Sequence, residues 1–256
     1  MTGRVEFSAS DGVGHIVLAR PEKHNAITPD MAQELGRICR DVDINDAIRA
    51  VVISGAGERS FSAGSDLNSL ADMSDIWAFR NRVEYAAVVR DIRKPVVAAL
   101  KGWVLGGGME IALAADIRIA GKSAKIGGPE VTRGWVGGGG ASQMLPRLIG
   151  YGQAMRLLLL GESVEADAAL KMGLVEEVVD DSEVLTRALA IASKIASFSP
   201  IATQAVKASV RAALSMPLEA GLRYENEIHV ICMSANDRLE GIKAFQEGRT
   251  PKFSGT

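Results

Sequence analysis

Lys101-Gly-Trp-Val-Leu-Gly-Gly-Gly-Met-Glu-Ile-Ala-Leu-Ala-Ala-Asp116 is the stretch from which the rest of the chain is read. The apolar run Val96-Val-Ala-Ala-Leu100 leads into it with the pattern of a strand. Three glycines, Gly106 to Gly108, then precede a small-residue helical segment, 109–115, that carries one acid, Glu110. Glycine lets a backbone approach a ligand with no Cβ in the way. The first N–H groups of a helix have no intrahelical partner and can point at a negative oxygen. A helix starting at these glycines therefore offers a donor to a developing oxyanion, with a carboxylate one turn away. The same residues also describe a tight turn with an exposed glutamate at a helix start, where acids are favoured anyway.

Strand followed by helix is the theme on both sides of this stretch. Residues 4–8 and 14–18 read as strands joined through Asp11-Gly12, a hairpin signal. Thr28-Pro29 opens a helix, with threonine as cap and proline in the first position. Met31, Leu35, Ile38, Cys39 and Val42 then recur at helical spacing. Residues 50–54 form a fully apolar strand of the kind buried on both faces. A polar loop covers 61–67, and 74–92 reads as one long helix stopped by Pro95. Residues 117–120 are another strand, and a second glycine run, Gly137 to Gly140, precedes an amphipathic helix reaching Leu148. Two helices fill 153–171, and 173–179 reads as a short strand. From about residue 181 the pattern is helical, with starts at Pro200, Pro217 and Asn236. The alternation predicts an α/β fold with repeated βαβ units. The strandless tail must bury its apolar faces on the core or on another subunit, which points to an oligomer.

Composition narrows the partners. At 256 residues, 47% apolar and 23% charged, the chain can build a full core as one large domain or one domain with a helical appendage. A net charge of −2, with acids and bases mixed, leaves no footprint for nucleic acid or for a membrane surface. Cys39 and Cys232 have no metal spacing and fall in helical patterns, so they read as buried thiols of a reducing compartment. The start, Met1-Thr-Gly-Arg-Val-Glu-Phe, lacks the layout of a signal peptide. No apolar run approaches the ~20 residues that span a bilayer. The expectation is a soluble, cytoplasmic protein. His15, His24 and His229 show no metal-ligand spacing, so no metal site is expected. The Gly-x-Ser-x-Gly elbow, the complete phosphate-loop pattern and the dinucleotide fingerprint are absent.

Several segments together resemble the crotonase (enoyl-CoA hydratase/isomerase) superfamily. They are Arg20-Pro-Glu-Lys-His-Asn-Ala26, Phe61-Ser-Ala-Gly-Ser-Asp-Leu67, the glycine stretch from Gly102 to Asp116, Gly128-Pro-Glu130, Gln143-Met-Leu-Pro-Arg-Leu-Ile-Gly150 and Ala166-Asp-Ala-Ala-Leu-Lys-Met-Gly-Leu-Val175. They occur in the family's order along nearly the whole chain. The resemblance implies a crotonase-like spiral of ββα units over residues 1–199 and a helical trimerisation region over 200–256. Homotrimers or hexamers are then expected.

The resemblance also implies the chemistry. An enolate forms at a thioester carbonyl and is held by two backbone N–H groups, here those of Ser65 and Gly107. Preorganised donors of this kind are worth ~3–4 kcal/mol each. In the family's hydratases, glutamates at the positions of Glu110 and Glu130 share a water across the double bond, one as base and one as proton relay. Two carboxylates around one water in an apolar pocket should push their pKa values apart. For CoA, carried as part of the substrate with no other cofactor, Lys23 and His24 fall where the family meets the nucleotide. Ala63, Asp66 and Leu67 fall near the adenine and pantetheine. Arg249 and Lys252 could reach the phosphates from a neighbouring subunit. Each of these cations also reads as a solvated surface charge.

The chain departs from the pattern at Trp135-Val-Gly-Gly-Gly-Gly-Ala141, where the family's proline is missing, and at Met144 in place of an arginine. Gly138 should border the water and acyl site. Trp135 reads either as a wall of the acyl pocket or as a core residue. The leading expectation is an enoyl-CoA hydratase. Alternatives are an isomerase, a thioester hydrolase or a specialised dehydratase of the same fold. A noncatalytic acyl-CoA-binding subunit is the alternative from another class, and the intact acid pair argues against it.

Overall fold

The structure, a computed structural model, describes residues 3–71 and 73–256. Met1 and Thr2, part of the start read above, lie outside them. The chain opens with an antiparallel pair, β1 (Arg4–Ser10) and β2 (Val13–Ala19), in which Arg4 faces Ala19 and Ser10 faces Val13. Helix α1 (Pro29–Ile44) follows, and the Thr28 hydroxyl accepts the Met31 N–H at 3.3 Å as its cap. Met31, Leu35, Ile38, Cys39 and Val42 form its buried face, as their spacing predicts.

The chain then winds. β3 (Ala50–Gly55) and β4 (Ser60–Ser62) lead to three short helices, α2 (Leu67–Ala71), α3 (Ile76–Arg80) and α4 (Tyr85–Arg90). β5 (Val96–Leu100) and β6 (Trp103–Leu105) lead to α5 (Gly107–Ala114). β7 (Ile117–Gly121) and β8 (Lys125–Gly127) lead to α6 (Ala141–Ile149) and α7 (Tyr151–Leu160). β9 (Ser163–Glu165), α8 (Ala166–Lys171) and β10 (Glu177–Val179) complete two sheets. The larger has the order β1-β2-β3-β5-β7-β10 and is parallel from β2 onward. The smaller has the order β4-β6-β8-β9 and is parallel except at β9. Three successive turns, starting at β3, β5 and β7, each add one strand to each sheet and then helix. That is the crotonase-like spiral of ββα units. Helices α9 (Val184–Ala196), α10 (Pro200–Ala212), α11 (Leu218–Ser234) and α12 (Asn236–Gln246) complete the chain.

Parallel strands need cover on both faces, and the apolar strands supply it by alternation. Val51, Ile53, Val96, Ala98 and Leu100 face the main core with α1 and α5. Ala50, Val52, Val97 and Ala99 face the other way, onto Val184, Ala188, Ala192 and Ala196 of α9. Small residues on α9 let the helix lie close to the sheet. No single helix among the described residues is long and apolar enough to cross a membrane.

Several expectations need correction. The single helix expected over 74–92 is two short ones with a bend between them. Asp75 caps the first through the Trp77 and Ala78 N–H groups, and Glu84 caps the second through Ala86 and Ala87. Two acids that satisfy helix-start donors in this way compete with continuation of one helix. The polar loop expected over 61–67 holds the end of β4, with Phe61 fully buried, and the first residue of α2. Of 173–179 only Glu177–Val179 pairs as a strand. β4, β6 and β9 were not anticipated, because three residues show no periodicity. Cys39 is buried, but Cys232 is only half-buried, since α11 is open to solvent on much of its surface.

Helix α10 is tied to the spiral by charge. Asp116 accepts the Val96 N–H at 2.8 Å and pairs with Lys207 at 2.7 Å and Arg211 at 3.0 Å. Lys207 also donates to the Lys94 carbonyl at 2.7 Å and is buried. Burial lowers its pKa from 10.5 to about 8, with Asp116 opposing. Between these values the unfolded chain holds a proton that the folded chain has released, so stability rises with pH there. Lys207→Met removes this titration. The unfolding free energy of the wild type relative to that variant should climb from about pH 8 to about pH 10.5 and be level below. Denaturant titrations at each pH measure it, and a level difference across the window would refute the assignment.

Candidate active site

The site is built where β4 runs against the start of α5. Gly106 has φ +55° and ψ −124°, a conformation that L side chains rarely adopt. It turns the chain from β6 into the helix, with its N–H on the Gly127 carbonyl at 2.9 Å. A Cβ on Gly108 would overlap the Ser62 carbonyl, and one on Gly107 would overlap the Tyr85 hydroxyl. A Cβ on Gly64 would stand 2.7 Å from the Gly107 nitrogen. The turn at 64–65 therefore touches the helix start backbone to backbone.

That contact sets out two amides. The Ile27 N–H reaches the Gly64 carbonyl at 2.7 Å and the Asp66 N–H reaches the Ile27 carbonyl at 2.9 Å. The Ser65 N–H between them takes no part in this bridge. Gly107, the first residue of α5, has no acceptor one turn back. Among the described residues neither N–H meets an acceptor, and both residues line one cavity of about 920 Å³.

Glu110 stands on the first turn of α5 and is buried. Its Oε1 accepts the Gly139 N–H at 2.7 Å and the Ala141 N–H at 3.2 Å. Glu130 comes from the 3₁₀ turn Pro129–Arg133 and is half-buried. Gly137 brings the two acids to a common point. A Cβ there would lie 2.6 Å from Glu110 Oε1 and 3.6 Å from Glu130 Oε1. Glycine leaves that space open.

Burial raises the pKa of both carboxyl groups above the ordinary glutamate value. For Glu110 the Ala141 and Gly139 amides oppose the shift, because they bond the ionised form, and the Glu130 charge adds to it. For Glu130 only its own backbone N–H and the Arg133 charge oppose burial. The expectation that the two would be pushed apart becomes an asymmetry of support. Glu110 is held as an acceptor by two amides from another segment, and Glu130 has no such bond.

The remaining expected site residues divide. Lys23, His24, Ala63, Leu67, Trp135 and Gly138 line the same cavity. The His24 ring is fixed by a 2.6 Å bond between Nδ1 and the Ser60 hydroxyl. Trp135 is 43% exposed, so it is a wall residue and not a core one. Asp66 lies outside the cavity lining. Its carboxylate pairs with Arg20 at 2.6 Å and accepts Ser69 N–H at 3.0 Å, and its own N–H is spent on Ile27. Arg249 and Lys252 are also outside the lining; Arg249 pairs with Glu240 and Glu247 at 2.6 Å. Three residues that sequence reasoning missed are Tyr85, Glu84 and Arg82, all lining the cavity from the bend before α4. The Tyr85 hydroxyl is 2.8 Å from the Ser65 hydroxyl. Asn25 was also missed. Fully buried, it bonds the Arg20 N–H and the Ala56 and Ser60 carbonyls, and so holds the loop that carries Lys23 and His24.

Known proteins resemble this chain along nearly its whole length. The sequence model of the enoyl-CoA hydratase/isomerase family matches residues 8–256. The chain is 38% identical over 253 residues to the (E)-benzylidenesuccinyl-CoA hydratase of Thauera aromatica, covering 98% of this chain and 99% of that protein. It is 36% identical over 240 residues to the short-chain-enoyl-CoA hydratase of Clostridium acetobutylicum, covering 93% and 92%. Among solved structures, the enoyl-CoA hydratase of Bacillus anthracis superposes with a TM-score of 0.91 at 35% identity, over 100% of both chains.

The raised carboxyl pKa values carry a stability consequence. Burial disfavours the charged form of Glu130 in the folded protein, whereas below the unfolded value both states are protonated. Glu130→Gln should therefore melt higher than the wild type at pH 7, and the gap should close towards pH 4. Calorimetry at both pH values tests this; a variant that melts lower at pH 7 contradicts it.

Proposed function

Because the chain belongs to the enoyl-CoA hydratase/isomerase family, we propose that it adds water across the double bond of a 2-enoyl-CoA thioester, or removes it in reverse. The observation that carries this reading is the shared approach of Glu110 and Glu130 to one point at Gly137. In this reading the thioester oxygen accepts the Ser65 and Gly107 N–H groups. Glu110, the better supported carboxylate, takes a proton from water as the water oxygen attacks the β-carbon. The π electrons move to the thioester oxygen, giving an enolate, and the two amides oppose its charge. Glu130, as the acid, returns a proton to the α-carbon. Both groups act from one side of the double bond, so the addition is syn. The step needs no cofactor beyond the CoA that the substrate carries, with Lys23 and His24 at the nucleotide end.

Oligomer formation is part of the same proposal. α10 to α12 leave Val206, Val210, Leu222, Ile231, Leu239 and Phe245 exposed, more apolar surface than a lone chain leaves to water. A trimer or hexamer covers it, and it would bring Arg249 and Lys252 of one copy to the cavity of the next. Sedimentation equilibrium should give three or six times the mass of one chain; a monomer at micromolar concentration overturns this part.

Glu110→Gln and Glu130→Gln should each lower kcat by about 10²–10⁴ with KM within a few-fold. The acid limb of kcat/KM should titrate above the ordinary glutamate value of 4.5, in the direction that burial imposes. Mass spectrometry of products from a panel of acyl-CoA esters separates water addition from double-bond migration and from CoA release. Full rate in the double variant, or migration or CoA release with no water gained, removes the hydratase reading.

A further inference from the structure

The cavity lining includes cations that hydration does not use, among them Arg82 and Arg133. Arg82 sits in the bend between α3 and α4, and its head is fixed by two contacts. Nη1 donates to the Phe79 carbonyl at 2.8 Å, and the guanidinium carbon lies 4.0 Å from the centroid of the Phe79 ring. Nη2 lies 3.2 Å from the point where a Cβ on Gly138 would stand. Gly138 is flanked by Gly137 and Gly139, the residues that abut Glu110. Arg82 and the two acids therefore meet the same glycine run at neighbouring residues.

Two of the acids that line the cavity are committed elsewhere. Glu84 spends both oxygens on the Ala86 and Ala87 N–H groups. Glu110 is bonded to Gly139 and Ala141. Among the described residues Arg82 forms no ion pair. The wall around it is apolar, with Ile76, Phe79, Trp135 and Val136 lining the cavity alongside. A guanidinium presents planar paired donors that match a carboxylate.

We propose that the acyl group carries its own carboxylate a short way beyond the double bond, and that Arg82 binds it. The substrate is then the CoA monothioester of an unsaturated dicarboxylic acid. This rests on the enoyl-CoA reading and narrows it. The role of Arg82 is to choose and place the acyl end; proton transfer stays with Glu110 and Glu130.

The test compares two esters matched in length, 2-hexenoyl-CoA and the same chain ending in a carboxylate. The wild type should favour the carboxylate ester in kcat/KM by about tenfold or more, mainly through KM, as a charge-assisted pair allows. Arg82→Met should erase that ratio, and Arg82→Lys should restore part of it, because the charge returns without the paired donors. Should the Met variant not fold, added salt gives a second measure on the wild type, where the ratio should shrink as screening grows. Equal kcat/KM for the two esters in the wild type, or a ratio unchanged in both variants, overturns the proposal and leaves the hydratase reading standing. Failure of both esters to gain water overturns the hydratase reading and this proposal with it.

Discussion

Everything in the site depends on two stretches of backbone touching where no side chain fits. Gly64 and Gly108 remove the Cβ atoms that would separate the end of β4 from the start of α5. With them gone, the Ser65 and Gly107 amides come to one cavity wall, both without a protein acceptor among the described residues. The same contact seats Tyr85 over Gly107 and turns Glu110 inward on the first helical turn. A methyl group at 108 would drive the segments apart, and one at 107 would displace the Tyr85 hydroxyl. Main-chain donors held by packing need no reorganisation when charge develops, which is where their value lies.

The surroundings absorb the strain of placing charge inside the fold. Glu110 is buried against its own preference, and the turn at Gly139–Ala141 offsets part of that cost with two N–H bonds. Asp116, which ends the same stretch, collects Val96, Lys207 and Arg211 and so fastens α10 to the spiral. Buried ion pairs contribute little net stability, but removal of one partner leaves the other exposed to the full desolvation cost. The two ends of one glycine-rich segment thus serve different tasks, one holding the reaction site and the other joining the helical tail.

In the proposed reading, reaction and selectivity come from different segments. The acids and amides stand on the spiral, on elements pinned by sheet and helix bonds. The wall proposed to meet the acyl end is made by α3 and the bend after it, with Ile76, Phe79 and Arg82 on the cavity. A short, capped segment tolerates substitution more readily than the glycine contact does, since few backbone bonds depend on it.

The sequence by itself determined the strands buried on both faces, the capped helix at Thr28-Pro29, the glycine turn before Glu110 and the family to which the chain belongs. Those features rest on local periods, caps and missing side chains, which are written in consecutive residues. Only the tertiary structure decided that Glu110 and Glu130 approach a common point at Gly137, that Asp66 turns to Arg20, and that Trp135 is a cavity wall. It also decided that 74–92 bends, exposing Arg82 and Tyr85 to the cavity, and that three-residue strands close a second sheet. The reason is distance along the chain. These outcomes depend on contacts between segments tens of residues apart, and no pattern within a single segment records which of its faces another will meet.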